Sequence, residues 1–126
     1  MREAIAVPGA PRAIGPYSPV IRAGNLLFIS GQIPFNAETG KVVTGDIAAQ
    51  TAQIMRNLDA LLKAAGAGFE HLVRTTVFLM DMDDFAAMNE AYAKFMTDPP
   101  PARSTVQVAR LPRDARIEID AIAVLP

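Results

Sequence analysis

The chain has 126 residues, of which 51% are hydrophobic and 20% charged, the composition of a folded domain rather than of a disordered chain. Its 12 basic and 13 acidic residues give a net charge of −1, so no positive field is present to attract nucleic acid phosphates. Cysteine is absent, which excludes disulfides, thiol catalysis and thiolate metal sites, and a single histidine excludes a His-rich metal cluster.

The chain contains neither a repeat nor a flexible linker, which predicts a single domain over residues 1–126. Pro8 interrupts the N-terminus before a signal-peptide core could form, and no apolar run is long enough to span a bilayer. We therefore expect a cytoplasmic protein with no membrane partner. A mean hydropathy of +0.21 is high for a small soluble chain and indicates apolar surface buried against other subunits.

The first third of the chain has the pattern of β-strands. Apolar and β-branched residues at 20–23 and 26–30 flank a Gly-Asn pair, which is a two-residue hairpin signal, and Gly31 is expected to end the second strand. The Gly-Pro-Tyr-Ser-Pro run at residues 15–19 is too rich in proline for regular structure. It predicts an ordered loop leading into the hairpin.

Two helices are predicted after a second loop, which is expected to run to about Gly45. Asp46 is the expected N-cap of the first helix, which ends at Gly66. Asp83 or Asp84 is the expected cap of the second helix. The predicted core stripes are Ile47, Thr51, Ile54, Leu58, Leu61, Leu62 and Ala65 on the first helix, and Phe85, Met88, Tyr92, Phe95 and Met96 on the second.

Three further strands are predicted. Residues 72–80 are rich in β-branched side chains and apolar on both faces, which predicts a strand buried on both sides. The prolines at 99–101 stop the second helix and stiffen the approach to a strand over residues 102–108. The last strand is expected over residues 116–124. Three arginines around the intervening turn are interpreted as solvated charges: Arg110, Arg113 and Arg116.

This order of elements predicts a sheet with helices on one face, since two helices can cover only one side of it. The last strand is nevertheless apolar on both faces at its C-terminal end. We expect another copy of the chain to cover the second face. Glu118 and Asp120 also fall on that face, where carboxylates are costly unless they are paired or solvated.

Arg103 carries the strongest indication of function. It follows the prolines directly at the entrance of an apolar strand, so its direction is fixed. A guanidinium presents a planar fork that binds a carboxylate through two parallel hydrogen bonds. The residues alone leave two interpretations open. Arg103 forms a structural ion pair with an internal acid, or it anchors the carboxylate of a ligand.

The chain resembles the Rid (YjgF-type) family over nearly its whole length. The resemblance implies a chorismate-mutase-like α+β fold, with a mixed β-sheet and two helices packed on one face. It also implies a homotrimer with active sites in clefts between neighbouring subunits. The segments that carry it are Pro-Ala-Arg-Ser at 101–104 with its continuation to 112, Ile-Glu-Ile at 117–119, residues 15–19, Ser-Gly-Gln-Ile-Pro at 30–34, and Phe-x-x-Met-Asn-x-x-Tyr at 85–92.

The resemblance further implies an activity, namely hydrolytic deamination of reactive 2-enamine and 2-imino acids to 2-keto acids and ammonia. Its substrates would be small imino acids such as 2-aminoacrylate and 2-iminobutyrate, and it would use no cofactor and no metal. Arg103 would bind the substrate carboxylate, and Glu118 would position or activate water. The other residues that the resemblance assigns to the pocket are Tyr17, with a catalytic role, and Ser30, Gly31, Asn89 and Thr105, which would contact substrate or support the site.

Thr105 departs from the family pattern, since many deaminase members carry cysteine there. A contact from its backbone N–H would be preserved, whereas a role for a thiol would be lost. Two other classes of function stay open: a paralogue that acts on a different imine or amide, and a non-catalytic trimer that binds a metabolite or RNA. The missing basic patch argues against RNA, and the complete set of pocket residues argues against a catalytically inactive paralogue.

Overall fold

The computed structural model describes residues 1–10 and 13–126. Its main sheet has six strands in the order β1-β2-β3-β8-β6-β7, in which β6 and β7 run parallel and the other neighbours antiparallel. Strands β4 and β5 form a separate hairpin. The elements are β1 (Arg2–Ala4), β2 (Val20–Ala23), β3 (Leu26–Gln32), β4 (Phe35–Asn36), β5 (Lys41–Val42), α1 (Ile47–Ala64), β6 (Leu72–Leu79), α2 (Phe85–Ala93), β7 (Ala102–Gln107) and β8 (Ile117–Val124).

Both helices pack on one face of the sheet, as predicted. Strand β8 alternates strictly: Ile117, Ile119, Ala121 and Ala123 are buried beneath the helices, and every second residue from Glu118 to Val124 is only partly covered. Helix α1 adds fully buried Ile54 and Leu58 from its apolar stripe. The α+β class with two helices on one face of a mixed sheet is therefore confirmed.

Local signals set the ends of α1. The Asp46 carboxylate accepts a hydrogen bond from the backbone N–H of Ala49 at 2.8 Å, which satisfies a donor that the helix itself leaves free. The helix ends at Ala64, and Gly66 follows with φ +81°, a left-handed conformation that suits glycine. Both predicted ends are confirmed, as is the hairpin of β2 and β3.

Strand β3 differs from the prediction at its C-terminal end, since it continues through Gln32 instead of ending at Gly31. Ile29 pairs with Ala121, whereas Gln32 pairs with Ile119, so β3 contains one extra residue between these two pairs. Such a bulge shifts the alternation of the strand. Its consequence is that Gly31 faces away from the helices.

Some short elements were not predicted. Strand β1 is exposed throughout, and β4 and β5 have two residues each, within the region expected to be a loop. Such strands are too short for a hydrophobic period to be recognised. The Asn36 side chain supports the β4–β5 turn by accepting from the N–H of Glu38 at 2.9 Å.

The prediction that residues 72–80 are buried on both sides is wrong for the chain by itself. On β6, Thr75, Val77 and Leu79 are fully buried under the helices, but Val73 remains 44% exposed. The half-covered residues on the second face include Thr76 and those around it on β8. The apolar character of that face is therefore not explained by contacts within one chain.

Asp84 occupies the N-cap position of α2, as predicted, but its side chain makes no capping hydrogen bond. Asp81, and neither Asp83 nor Asp84, caps the short 3-10 turn Met82–Asp84 that precedes the helix, by accepting from the N–H of Asp83 at 2.8 Å. The two carboxylate oxygens of Asp84 instead accept from Nη2 of Arg116, at 2.8 and 2.9 Å. Arg116 is therefore ion-paired rather than solvated, and the pair joins the start of α2 to the start of β8.

We expect Arg116→Ala to lower the free energy of unfolding by about 1–2 kcal/mol, because it leaves the partly buried Asp84 carboxylate without its charge-assisted hydrogen bonds. Arg110→Ala is the matched control. Its ion pair with Asp114 is 79% and 78% exposed at the two side chains, and such pairs contribute little. Urea unfolding of both variants measures the difference. Equal destabilisation by the two substitutions would contradict a structural role for the Asp84–Arg116 pair.

Candidate active site

Arg103 lies at the edge of the sheet, on the face that the helices cover. It pairs in register with Thr75, which is fully buried. The carbon at the centre of its guanidinium is 5.0 Å from the ring centroid of Tyr92 and 5.7 Å from that of Phe85, both on α2. The Tyr92 hydroxyl is hydrogen-bonded to the Thr75 hydroxyl at 2.8 Å. The cation is thus held against two aromatic rings by cation–π contacts.

Within the described residues, Arg103 has no carboxylate within ion-pair distance. The interpretation of Arg103 as one half of an internal ion pair therefore finds no acid in the chain. A guanidinium stacked by its face keeps its edge N–H groups available to an anion. Among residues 1–10 and 13–126, no acid occupies this fork.

Two buried polar atoms lie on the same elements as Arg103 and Tyr92. Asn89 Oδ1 on α2 and Thr105 Oγ1 on β7 are both inaccessible to solvent and have no hydrogen-bond partner among the described residues. Thr105 follows Arg103 by two positions and so faces the same side of the strand. Buried polar atoms without partners are costly, and they are typical of sites that bind a ligand or a second chain.

Tyr92 supports this part of the site as a neutral phenol. Burial raises the pKa of its hydroxyl, and this outweighs the hydrogen bond from Thr75 and the charge of Arg103, which both lower it. The sequence assigned Tyr92 and Phe85 to the core only. Their contact with Arg103 was missed, although their spacing of seven residues places both on one face of a helix.

Glu118 lies on the opposite face of the sheet, against Gly31. A Cβ built on Gly31 would lie 2.7 Å from the Glu118 carboxyl carbon, which is too close for any side chain larger than hydrogen. The bulge in β3 turns this face of Gly31 towards the carboxylate. A side chain at this position would displace the Glu118 carboxylate, so the glycine allows the close approach of the two residues, and backbone strain plays no part.

The carboxyl group of Glu118 is partly buried and has an acidic neighbour. Burial raises its pKa, and the negative charge of Asp120, two residues further along the same face, raises it again. No ion pair compensates either effect within the described residues. Glu118 therefore holds a proton more readily than an ordinary glutamate, which is a property of groups that transfer protons near neutral pH.

Ser30 joins the loop that carries Tyr17 to this strand. Its hydroxyl donates to the carbonyl of Ser18 at 2.7 Å, and its N–H donates to the carbonyl of Pro19 at 2.9 Å. Tyr17 remains 54% exposed and lines, together with Gly31, a cleft of about 400 Å³. Within this chain, Ser30 therefore holds the loop in place, and its hydroxyl hydrogen is already used in that hydrogen bond.

The predicted site residues therefore form two groups that a single chain does not bring together. Arg103, Thr105 and Asn89 lie on the helix-covered side of the sheet, which we call the carboxylate half-site. Glu118 faces the other side, next to Gly31. The residues of this second group, which we call the base half-site, are Tyr17, Ser30, Gly31 and Glu118.

Among residues 1–10 and 13–126, no three His, Asp or Glu side chains are arranged to hold a metal ion. The helices in the same residues are all too short or too polar to cross a membrane.

The model of a protein family described as Endoribonuclease L-PSP matches residues 8–125. The chain belongs to that family. Proteins similar to this chain include ones named as Rid proteins, so the resemblance to the Rid family is confirmed. A RutC family protein of Pyrococcus horikoshii is 52% identical over 98% of each chain. The 2-iminobutanoate/2-iminopropanoate deaminase of Escherichia coli K12 is 49% identical, also over 98% of each chain.

A solved structure of the same fold contains a bound amino acid. The crystal structure of E. coli TdcF with bound serine matches this Endoribonuclease L-PSP family member with a TM-score of 0.90 at 41% identity. The match covers 98% of this chain and 99% of TdcF. The fold predicted from the family resemblance is thus the fold of a solved relative.

We expect Glu118→Gln to raise the melting temperature at neutral pH. A carboxyl group whose pKa is raised by folding destabilises the folded state when it is ionised, so stability falls as the pH rises through the ordinary and then the raised pKa. Below the ordinary pKa of glutamate, about 4.3, the group is protonated in both states and the gain should vanish. The exposed Glu90→Gln is the control for loss of one negative charge. An increase in melting temperature that is the same at every pH and in both variants would contradict a raised pKa for Glu118.

Proposed function

We propose that the protein hydrolyses 2-imino acids and their 2-enamine tautomers to 2-keto acids and ammonia, with 2-iminobutyrate and 2-aminoacrylate as substrates. The observation that carries the proposal is the unpaired fork of Arg103, held against Tyr92 and Phe85 and without an internal acid. The deaminase name of the E. coli relative supports it. So does serine bound to TdcF, since serine carries the same carboxylate next to a substituted carbon.

The carboxylate half-site would fix the substrate. The edge of the Arg103 guanidinium would form two hydrogen bonds to the substrate carboxylate and so place the imine carbon. Thr105 Oγ1 and Asn89 Oδ1 would gain the partners that they lack in the chain alone. The threonine hydroxyl would form a hydrogen bond to the substrate. The cysteine that many family members carry here would form a weaker one, since a thiol is a weaker donor.

The base half-site would supply water and move protons. Glu118, with its raised pKa, would accept a proton from water as the water oxygen attacks the imine carbon. It would return that proton to nitrogen to give the carbinolamine, and would then pass the hydroxyl proton to the same nitrogen, so that the C–N bond breaks, the C=O bond forms and ammonia leaves the 2-keto acid. Tyr17 would contact the substrate from its loop, and the N–H of Gly31 would approach without obstruction because this residue has no side chain. This reaction needs an oriented water and proton transfer, so no cofactor is part of the proposal.

The two half-sites lie on opposite faces of one sheet, and a substrate as small as 2-aminoacrylate or 2-iminobutyrate cannot contact both in one chain. We infer a homotrimer in which the carboxylate half-site of one subunit meets the base half-site of its neighbour. The exposed apolar residues on and beside the second face support this assembly, since a second copy would cover them. They include Phe28 at 41%, Val73 at 44% and Val106 at 42% exposure.

The family description names an endoribonuclease, and RNA is the alternative substrate class. A net charge of −1 supplies no counterion-release contribution to RNA binding. A different imine or an amide is the nearer alternative, because Arg103 and Glu118 could bind and hydrolyse it in the same way. Both alternatives are decided by assaying the purified protein on RNA, on amides and on imines generated in place.

Arg103→Ala should reduce kcat/KM for 2-iminobutyrate by about 30-fold to 4,000-fold, because loss of one partner of a desolvated charge pair costs about 2–5 kcal/mol. Arg103→Lys should restore only part of the activity, since an ammonium keeps the charge but lacks the fork. Arg110→Ala, an exposed arginine beyond the same strand, is the control. A folded Arg103→Ala protein with near-normal turnover would refute the proposed function.

Mixing two inactive variants tests whether the site is shared between subunits. Arg103→Ala and Glu118→Gln trimers should each be nearly inactive, but random hybrids should regain about a quarter of wild-type activity, since one site in four then combines two intact half-sites. Light scattering should give three times the 13.5 kDa chain mass for all samples. If both residues act from one chain, no hybrid regains activity. A monomer in solution would also exclude the shared site.

A further inference from the structure

The cleft beside Tyr17 has the size and lining of a second ligand site. Its volume is about 400 Å³, within the range of about 300–1,000 Å³ for small-molecule pockets. Its walls come from the N-terminal arm, β4 and α1, and are mostly apolar; they include Val7, Ile33 and Leu61. Neither Arg103 nor Glu118 lines it, so the cleft adjoins the proposed active site without containing its acid, its base or its carboxylate anchor.

Arg113 is the one charged residue among the described residues that line this cleft. Its guanidinium carbon lies 5.7 Å from the ring centroid of Phe35, another lining residue. In the part of the chain that the structure describes, its side chain has neither an ion pair nor a hydrogen bond. Asp114, the acid next to it in sequence, pairs with Arg110.

The backbone at Arg113 is held in an unusual conformation. Arg113 has φ +54° and Asp114 has φ +55°, so two successive residues with side chains adopt the left-handed region. This conformation is disfavoured for residues other than glycine, and it is concentrated at sites of function. On this 3-10 turn, Pro112–Asp114, the exposed Arg113 side chain lines the apolar cleft.

We propose that this cleft binds a small amphipathic carboxylate, with an aromatic or branched apolar body and one anionic group. The apolar walls would bury the body, and the Arg113 guanidinium, which lies over the Phe35 ring, would bind the carboxylate. Tyr17 and Gly31 line the cleft and also belong to the base half-site. A ligand in the cleft would therefore contact two residues of the base half-site and could change turnover without contacting Arg103 or Glu118.

The experiment uses phenylacetate as the probe and isothermal titration of the assembled wild-type protein. We expect saturable binding, at least tenfold weaker binding by Arg113→Gln, and undiminished binding by Arg110→Gln, which removes a neighbouring arginine that does not line the cleft. Phenylacetamide, which has the same shape without the charge, should bind as weakly as phenylacetate binds to Arg113→Gln. Arg103→Ala should retain binding, because Arg103 lies outside the cleft.

Each contrary outcome overturns the proposal. Absence of saturable binding up to about 10 mM phenylacetate would show that the cleft is not a site for this class of ligand. Binding lost in Arg103→Ala but kept in Arg113→Gln would place the probe in the active site. Equal affinity for phenylacetamide would show that Arg113 takes no part in recognition. Deaminase turnover is measured on the same variants, so failure of the catalytic proposal is read separately from failure of this one.

Discussion

One constraint determines the arrangement of polar groups in this protein: two helices cover one face of a six-stranded sheet and leave the other to solvent or to a partner. Alternation along the strands then divides the functional side chains. Arg103 and Thr105 turn towards α2, whereas Glu118 and Asp120 turn away from it. Neither group can reach the other through the sheet, so any chemistry that uses both requires a second chain.

The fold was predictable where local rules decide it. The cap at Asp46, the glycine after α1 and the alternation of β8 each follow from residues a few positions apart, and each was read from the sequence. The Asp84–Arg116 ion pair joins residues that are 32 positions apart, and the bulge in β3 depends on how this strand pairs with β8. No local sequence pattern predicts either feature. Short strands such as β1 could not be predicted for another reason, since three exposed residues show no hydrophobic alternation.

The candidate site was likewise only partly predictable from the sequence. A proline-directed arginine and the family segments were sufficient to select Arg103 and Glu118, but not to place them on opposite faces. The aromatic support of Arg103 by Tyr92 and the contact of Glu118 with Gly31 emerge only when α2 and β3 are positioned. The roles of Asn89 and Thr105 rest on buried atoms without partners, which no sequence pattern can reveal.

The bulge between Ile29 and Gln32 also limits how the length of the chain can change. Before it, Leu27 and Ile29 face the helices; after it, Gln32 does so, while Gly31 faces Glu118. Deleting one residue here would restore regular pairing and keep Ile29 and Gln32 on the helix side, but it would remove the extra residue that places Gly31 against Glu118. Residues in surface loops such as β4–β5 can be gained or lost during divergence, whereas this point in the sheet must keep its number of residues for Gly31 and Glu118 to meet.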